Sequence, residues 1–87
     1  MMKETWILGI RISDRANAAA QIQDVLAKFG CTIRTRLGLH NNEAGATAGS
    51  GIILLELYGD QNEFSKLENA LLRIEGTELK KMVFKQE

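Results

Sequence analysis

A chain of 87 residues, 45% hydrophobic and 25% charged, is long enough for one compact domain with a modest core. Eleven basic residues balance eleven acidic ones, which argues against direct electrostatic nucleic-acid binding, where a basic excess is the rule. One cysteine cannot close an internal disulfide, no apolar run approaches the roughly 20 residues of a membrane helix, and "MMKETWILGIRI" is too short and too interrupted by Arg11 for a secretory signal, so a cytoplasmic protein is expected.

The first element, Thr5 to Ile12, is rich in branched and aromatic residues and reads as a strand. Ser13 and Asp14 offer N-cap oxygens for a helix over Arg15 to Phe29, whose apolar stripe is Ala18, Ile22, Val25, Leu26 and Phe29. Gly30 stands where a left-handed helix terminus is expected. "CTIRTRLGLH" alternates, with Ile33, Leu37 and Leu39 on one side and Arg34, Arg36 and His40 on the other, and predicts a half-buried strand.

The segment "NNEAGATAGSG" holds three glycines and no large side chain. It matches neither GxxxxGK[ST] nor GxGxxG, and is longer than the usual hairpin connection. We expect residues 41–51 to be a slack connection first, a ligand lid second and a metal site third. "GIILLELY" is the third strand. Asp60 and Glu63 then have capping-box-like spacing ahead of a helix with a Phe64, Leu67, Leu71 and Ile74 stripe, ended by Gly76. "TELKKMVFK" is a last, mixed strand.

Asp14 to Gly30 and Asp60 to Gly76 each span 16 positions, offset by 46, so the halves match in architecture. Two such units predict an α+β, ferredoxin-like βαββαβ sandwich: a four-stranded antiparallel sheet with both helices on one face. The first and third strands should be central. Both are apolar at nearly every position, as for strands buried on two faces. Nothing in one copy covers the second face, so the chain is expected to assemble with itself as a homodimer or tetramer, by packing sheet on sheet or, alternatively, by edge pairing that extends the sheet across a dimer.

"ILGIRISDR", "FGCTIRTRLGLHN", "GIILLELYGD" and "LENALLRIEGTELKKMVF" together resemble the iron-only hydrogenase system regulators. The resemblance runs over nearly the whole chain. It implies a single ACT-like domain over residues 1–87, related to the C-terminal domain of nickel-responsive regulators. It further implies a non-catalytic, homo-oligomeric cytoplasmic module that responds to a ligand or a protein partner. Nickel-responsive regulators carry a DNA-binding segment ahead of this domain, and this sequence starts at the first strand.

Candidate site residues are few. Cys31 and His40 are nine positions apart, roughly 30 Å on a regular strand, and cannot share a metal within one chain. No metal or other cofactor is therefore assigned. His40 is expected to hydrogen-bond at a strand end and Cys31 to be a small buried residue. Arg34 and Arg36, two apart, are expected to share the open sheet face with Arg11 on the adjacent strand. Arg11, Arg34, Arg36 and His40 are thus the candidate ligand-binding residues, for a carboxylate or phosphate. The same arginines could instead pair with Glu56 on the neighbouring strand.

Three classes of function compete. A regulatory sensor binding a small anion at a subunit interface fits best. An acylphosphatase-like enzyme would need a glycine-rich cradle that "ISDRAN" lacks, and an RNA-binding sheet would need more aromatics than Trp6 and Tyr58. A metal-responsive sensor built on interface His40 side chains is the remaining alternative.

Overall fold

The computed structural model describes residues 3–12, 18–40 and 51–86, with the side chains of His40 and Gln86 outside that description. Six elements follow in order: β1 (Lys3–Ile12), α1 (Ala18–Lys28), β2 (Ile33–His40), β3 (Gly51–Leu57), α2 (Gln61–Leu72) and β4 (Thr77–Gln86). The strands form one antiparallel sheet in the order β2-β3-β1-β4, as the expected βαββαβ sandwich requires. The proposed cap at Ser13 and Asp14, and all but the final residue of the segment 41–51, lie outside the described residues.

Alternation decides what the central strands bury. Trp6, Leu8, Ile10 and Ile12 of β1 stand opposite Leu57, Leu55, Ile53 and Gly51 of β3, and all the large side chains of this set are buried. Against them pack Ala18, Ile22 and Leu26 of α1 and Phe64, Leu67 and Leu71 of α2, with Ile74 just beyond. The two stripes read from the sequence are the helices' buried faces, with Val25 and Phe29 partly buried at the margin. Trp6 and Phe64 lie with ring centroids 5.4 Å apart, tilted by 57°. Lys81 crosses this edge of the core. Its Nζ lies 4.2 Å from the Trp6 ring centroid and 3.1 Å from Glu68 Oε1, so its stem covers apolar surface while its charge is compensated.

The helix ends divide by mechanism. Asp60 has extended backbone, and its carboxylate accepts the Asn62 backbone N–H at 2.8 Å, making it the N-cap of α2. The reciprocal half of a capping box does not form, because Glu63 pairs with Lys66 at 3.2 Å instead. Asp60→Ala should therefore cost about 1 kcal/mol. Urea denaturation checks this, and an unchanged midpoint would remove the cap from the account. Helix α2 ends at Leu72 with Arg73 as its C-cap, ahead of the Gly76 expected to end it, and Gly76 follows in a left-handed conformation, at φ 86°. Gly30, where a left-handed terminus is expected, does not adopt one, which corrects the expectation there. The chain leaves α1 through consecutive turns instead, with Thr32 N–H donating to Phe29 O at 2.9 Å. Cys31, in that turn, is exposed rather than buried.

A further correction concerns β2. Ile33 pairs with Leu57, but Thr35 already pairs with Glu56, so Arg34 is the extra residue of a β-bulge. The bulge inverts the alternation read from the sequence. Beyond it Arg36 stands opposite Leu55 on the helix-covered side, where its guanidinium donates to the Gln23 side-chain oxygen of α1. Leu37 and Leu39 pair with Leu54 and Ile52 on the opposite, open side.

That open face is largely apolar. Leu37, Leu39, Ile52, Met82 and Phe84 are all exposed there, around Ile7, Gly9 and Leu54. Among the described residues no element of this chain covers it.

Candidate functional site

The N-terminal end of β1 lies beside the C-terminal end of β3, because the two strands run antiparallel. The bulge of β2 flanks β3 at the same level. After β3, Tyr58 leads into Gly59, whose φ of 102° suits a residue without a Cβ, and the chain then turns into α2. These four segments enclose a cleft of about 700 Å³ lined by Lys3, Glu4 and Thr5, Arg34, Glu56 to Tyr58, and Gly59 to Asn62.

Arg34 is the best-positioned charge in it. As the extra residue of the bulge, it shares the Glu56 side of the strand with Thr35. Thr35 Oγ1 donates to Glu56 Oε1 at 2.9 Å, and Arg34 stands 4.0 Å from the other carboxylate oxygen. The Arg34 guanidinium carbon lies 4.8 Å from the Tyr58 ring centroid. An exposed ion pair and a cation–π contact each stabilise by only about 0.5–1 kcal/mol. Together they orient a guanidinium whose side chain stays 60% exposed. The other carboxylates of the wall also have donors: Glu4 accepts the Trp6 indole N–H at 3.0 Å, and Asp60 caps α2.

The four residues singled out in the sequence do not form one cluster. Arg34 is in the cleft, and its pairing with Glu56 is the arrangement weighed as the alternative to a ligand clamp. Arg11 stands opposite Ile52, four residues along β3 from Glu56 and so about 13 Å away. It reaches Glu78 at 3.9 Å on β4. Arg36 is on the other side of the sheet, held by Gln23. His40 pairs with Gly51 through the backbone at the far end of β2. Arg11 and Arg34 thus keep the open face expected of them but stand far apart on it, and only Arg36 leaves it, because of the bulge. Sequence reading missed Lys3, Thr5, Tyr58, Gln61 and Asn62. A usable signal was present in "LYGDQN", where a glycine turn and a capping aspartate bring an aromatic and two carboxamides to one strand–helix junction. Among the described residues, no three His, Cys, Asp or Glu side chains lie close enough to hold a metal ion. None of the described helices is long and apolar enough to cross a membrane.

Comparison with known proteins rests on structure. No protein-family model matches the chain, and no curated protein matches it. The uncharacterized protein TM1266 from Thermotoga maritima superposes with a TM-score of 0.80 at 27% identity, over 97% of this chain and 99% of that one. The ACT domain of a GTP pyrophosphokinase from Chlorobium tepidum gives 0.64 at 19% identity, over 94% of this chain and 100% of that one. CPII from Thiomonas intermedia K12, a nitrogen regulatory PII-like protein bound to ADP, AMP and bicarbonate, gives 0.58 at 10% identity, over 100% and 97%. The fold is therefore ferredoxin-like and of the ACT type.

Proposed function

We propose that this chain is a regulatory, non-catalytic module that binds a small anionic ligand and works as a homodimer or tetramer in the cytoplasm. One observation carries the reading: an apolar sheet face left open beside a cleft that presents an oriented arginine. Contiguous apolar surface of this kind marks interaction sites, and a second copy is the partner always at hand. Among the described residues lining the cleft there is no serine, cysteine or histidine, so no usual nucleophile–base pair stands among them. The likeness to an ACT domain and to a PII-like regulator supports sensing over catalysis. The association with iron-only hydrogenase systems, and with a protein partner through which regulation would act, rests on the sequence resemblance alone. Of the four arginine and histidine candidates, Arg34 carries the ligand proposal. Arg11, at the other end of the open face, is assigned to the assembled interface, and Arg36 and His40 complete the set proposed from sequence.

Ligand that binds only the assembled, folded state raises the melting temperature with its concentration. A thermal-shift screen of amino acids, nucleotides and metal ions, with light scattering on the same samples, tests this. The expected result is a multiple of 9.7 kDa and stabilisation by an anionic compound. Stabilisation by a divalent metal alone, removed by His40→Ala, would replace this reading with the metal-responsive one.

A further inference from the structure

We propose that the cleft between the start of β1, the β2 bulge and the first turn of α2 binds a nucleoside monophosphate. This deepens the sensing reading and rests on it. A volume of about 700 Å³ exceeds what an inorganic anion or a single amino acid fills, and falls within the roughly 300–1,000 Å³ of ordinary ligand pockets.

Three features of the wall select the chemistry. The first is the stack. Arg34 already lies over the Tyr58 ring, and its side chain remains 60% exposed, which leaves the guanidinium accessible to a planar ligand. Guanidinium planes and aromatic rings are what unpaired bases stack on. The second is the pair of carboxamides, Gln61 and Asn62, in the same wall. A carboxamide offers one donor and one acceptor side by side, the complement of the adenine N6 and N7 edge. The third is charge. Lys3 has no ion pair among the described residues and supplies an ammonium for a phosphate.

The same wall sets an upper limit on ligand charge. Glu4, Glu56 and Asp60 outnumber Lys3 and Arg34 by one. Each carboxylate is engaged by a donor of this chain, yet each still repels a second anion at close range. A monophosphate adds the smallest phosphate charge to this wall and meets Lys3, whereas a triphosphate brings about twice the negative charge against the same carboxylates.

The test is nuclear magnetic resonance titration of the ¹⁵N-labelled full chain with AMP, and in parallel with adenosine, inorganic phosphate, ATP and glutamate. AMP should shift the amides of Lys3 to Thr5, Arg34 and Tyr58 to Asn62. It should bind at least tenfold more tightly than adenosine, phosphate or ATP. Arg34→Met and Asn62→Asp should each weaken AMP at least tenfold, while Lys85→Met should leave it unchanged. Asn62→Asp keeps the backbone N–H that Asp60 accepts, so it tests the site even where the arginine variant folds poorly. AMP shifts confined to other residues, no shifts at all, adenosine binding as tightly as AMP, or wild-type affinity in both cleft variants would each overturn the proposal. Glutamate shifting these amides while AMP does not would overturn the nucleotide and keep the sensor. AMP bound at the cleft of a chain that stays at 9.7 kDa at every concentration would keep the nucleotide site and remove the assembling sensor.

Discussion

Replacing Phe64 with alanine should destabilise the protein by about 3–5 kcal/mol. The ring is fully buried in α2, against the inner faces of β1 and β3, and it contacts Trp6 with centroids 5.4 Å apart. Truncation removes that burial and leaves a cavity which the sheet cannot close, because β1 is hydrogen-bonded on both sides, to β3 and β4. It also removes an aromatic pair that contributes about 0.5–1.5 kcal/mol beyond its area. A domain of this size has a total stability of roughly 4–13 kcal/mol, so the loss is a large part of it. The melting temperature should fall by roughly 12–40 °C, at about 4–8 °C per kcal/mol. Trp6 is the single tryptophan of the chain, so its fluorescence reports the transition directly. Leu72→Ala, at a 57% exposed position on the same helix, should change stability by less than about 0.5 kcal/mol. Equal effects of the two substitutions would mean that the core is not where the burial pattern places it.

The double variant Leu37→Glu, Met82→Glu should have its large effect on assembly instead. Both residues are more than half exposed, at 52% and 55%, on the open sheet face, so the folded single chain loses little by the change. They lie on the two edge strands, β2 and β4, and therefore at opposite margins of that face. A copy packed across the sheet would have to desolvate a carboxylate at each margin, with no partner charge prepared for it. The expected loss is at least about 2 kcal/mol of association, roughly thirtyfold in the dissociation constant. Light scattering should move from a multiple of 9.7 kDa towards 9.7 kDa, with the circular dichroism spectrum unchanged. A wild-type chain already at 9.7 kDa at high concentration, or a double variant that assembles normally, would mean that the open face has another occupant.

The order of elements, the two buried helix stripes, the central places of β1 and β3 and the N-cap at Asp60 were all legible in the residues alone. These are local or periodic properties. A stripe such as Phe64, Leu67, Leu71 and Ile74 fixes which side of a helix is buried whatever it packs on. Two βαβ-like halves leave few ways to order four strands. The direction of side chains along β2, by contrast, is set by how that strand pairs with β3. Strand alternation has a period of two, so one extra residue reverses every side chain beyond it. The bulge at Arg34 has no signature in "CTIRTRLGLH", and its consequence is a set of reversals. Leu37 and Leu39 go to the open face, Arg36 goes to the helix side, and Arg34 parts from Arg36 to join Glu56 and Tyr58. The cleft could not be read in advance for a related reason. Its walls come from residues 3–5, 34 and 56–62, which are far apart in the chain and adjacent only because β1 and β3 run antiparallel beside a bulged neighbour.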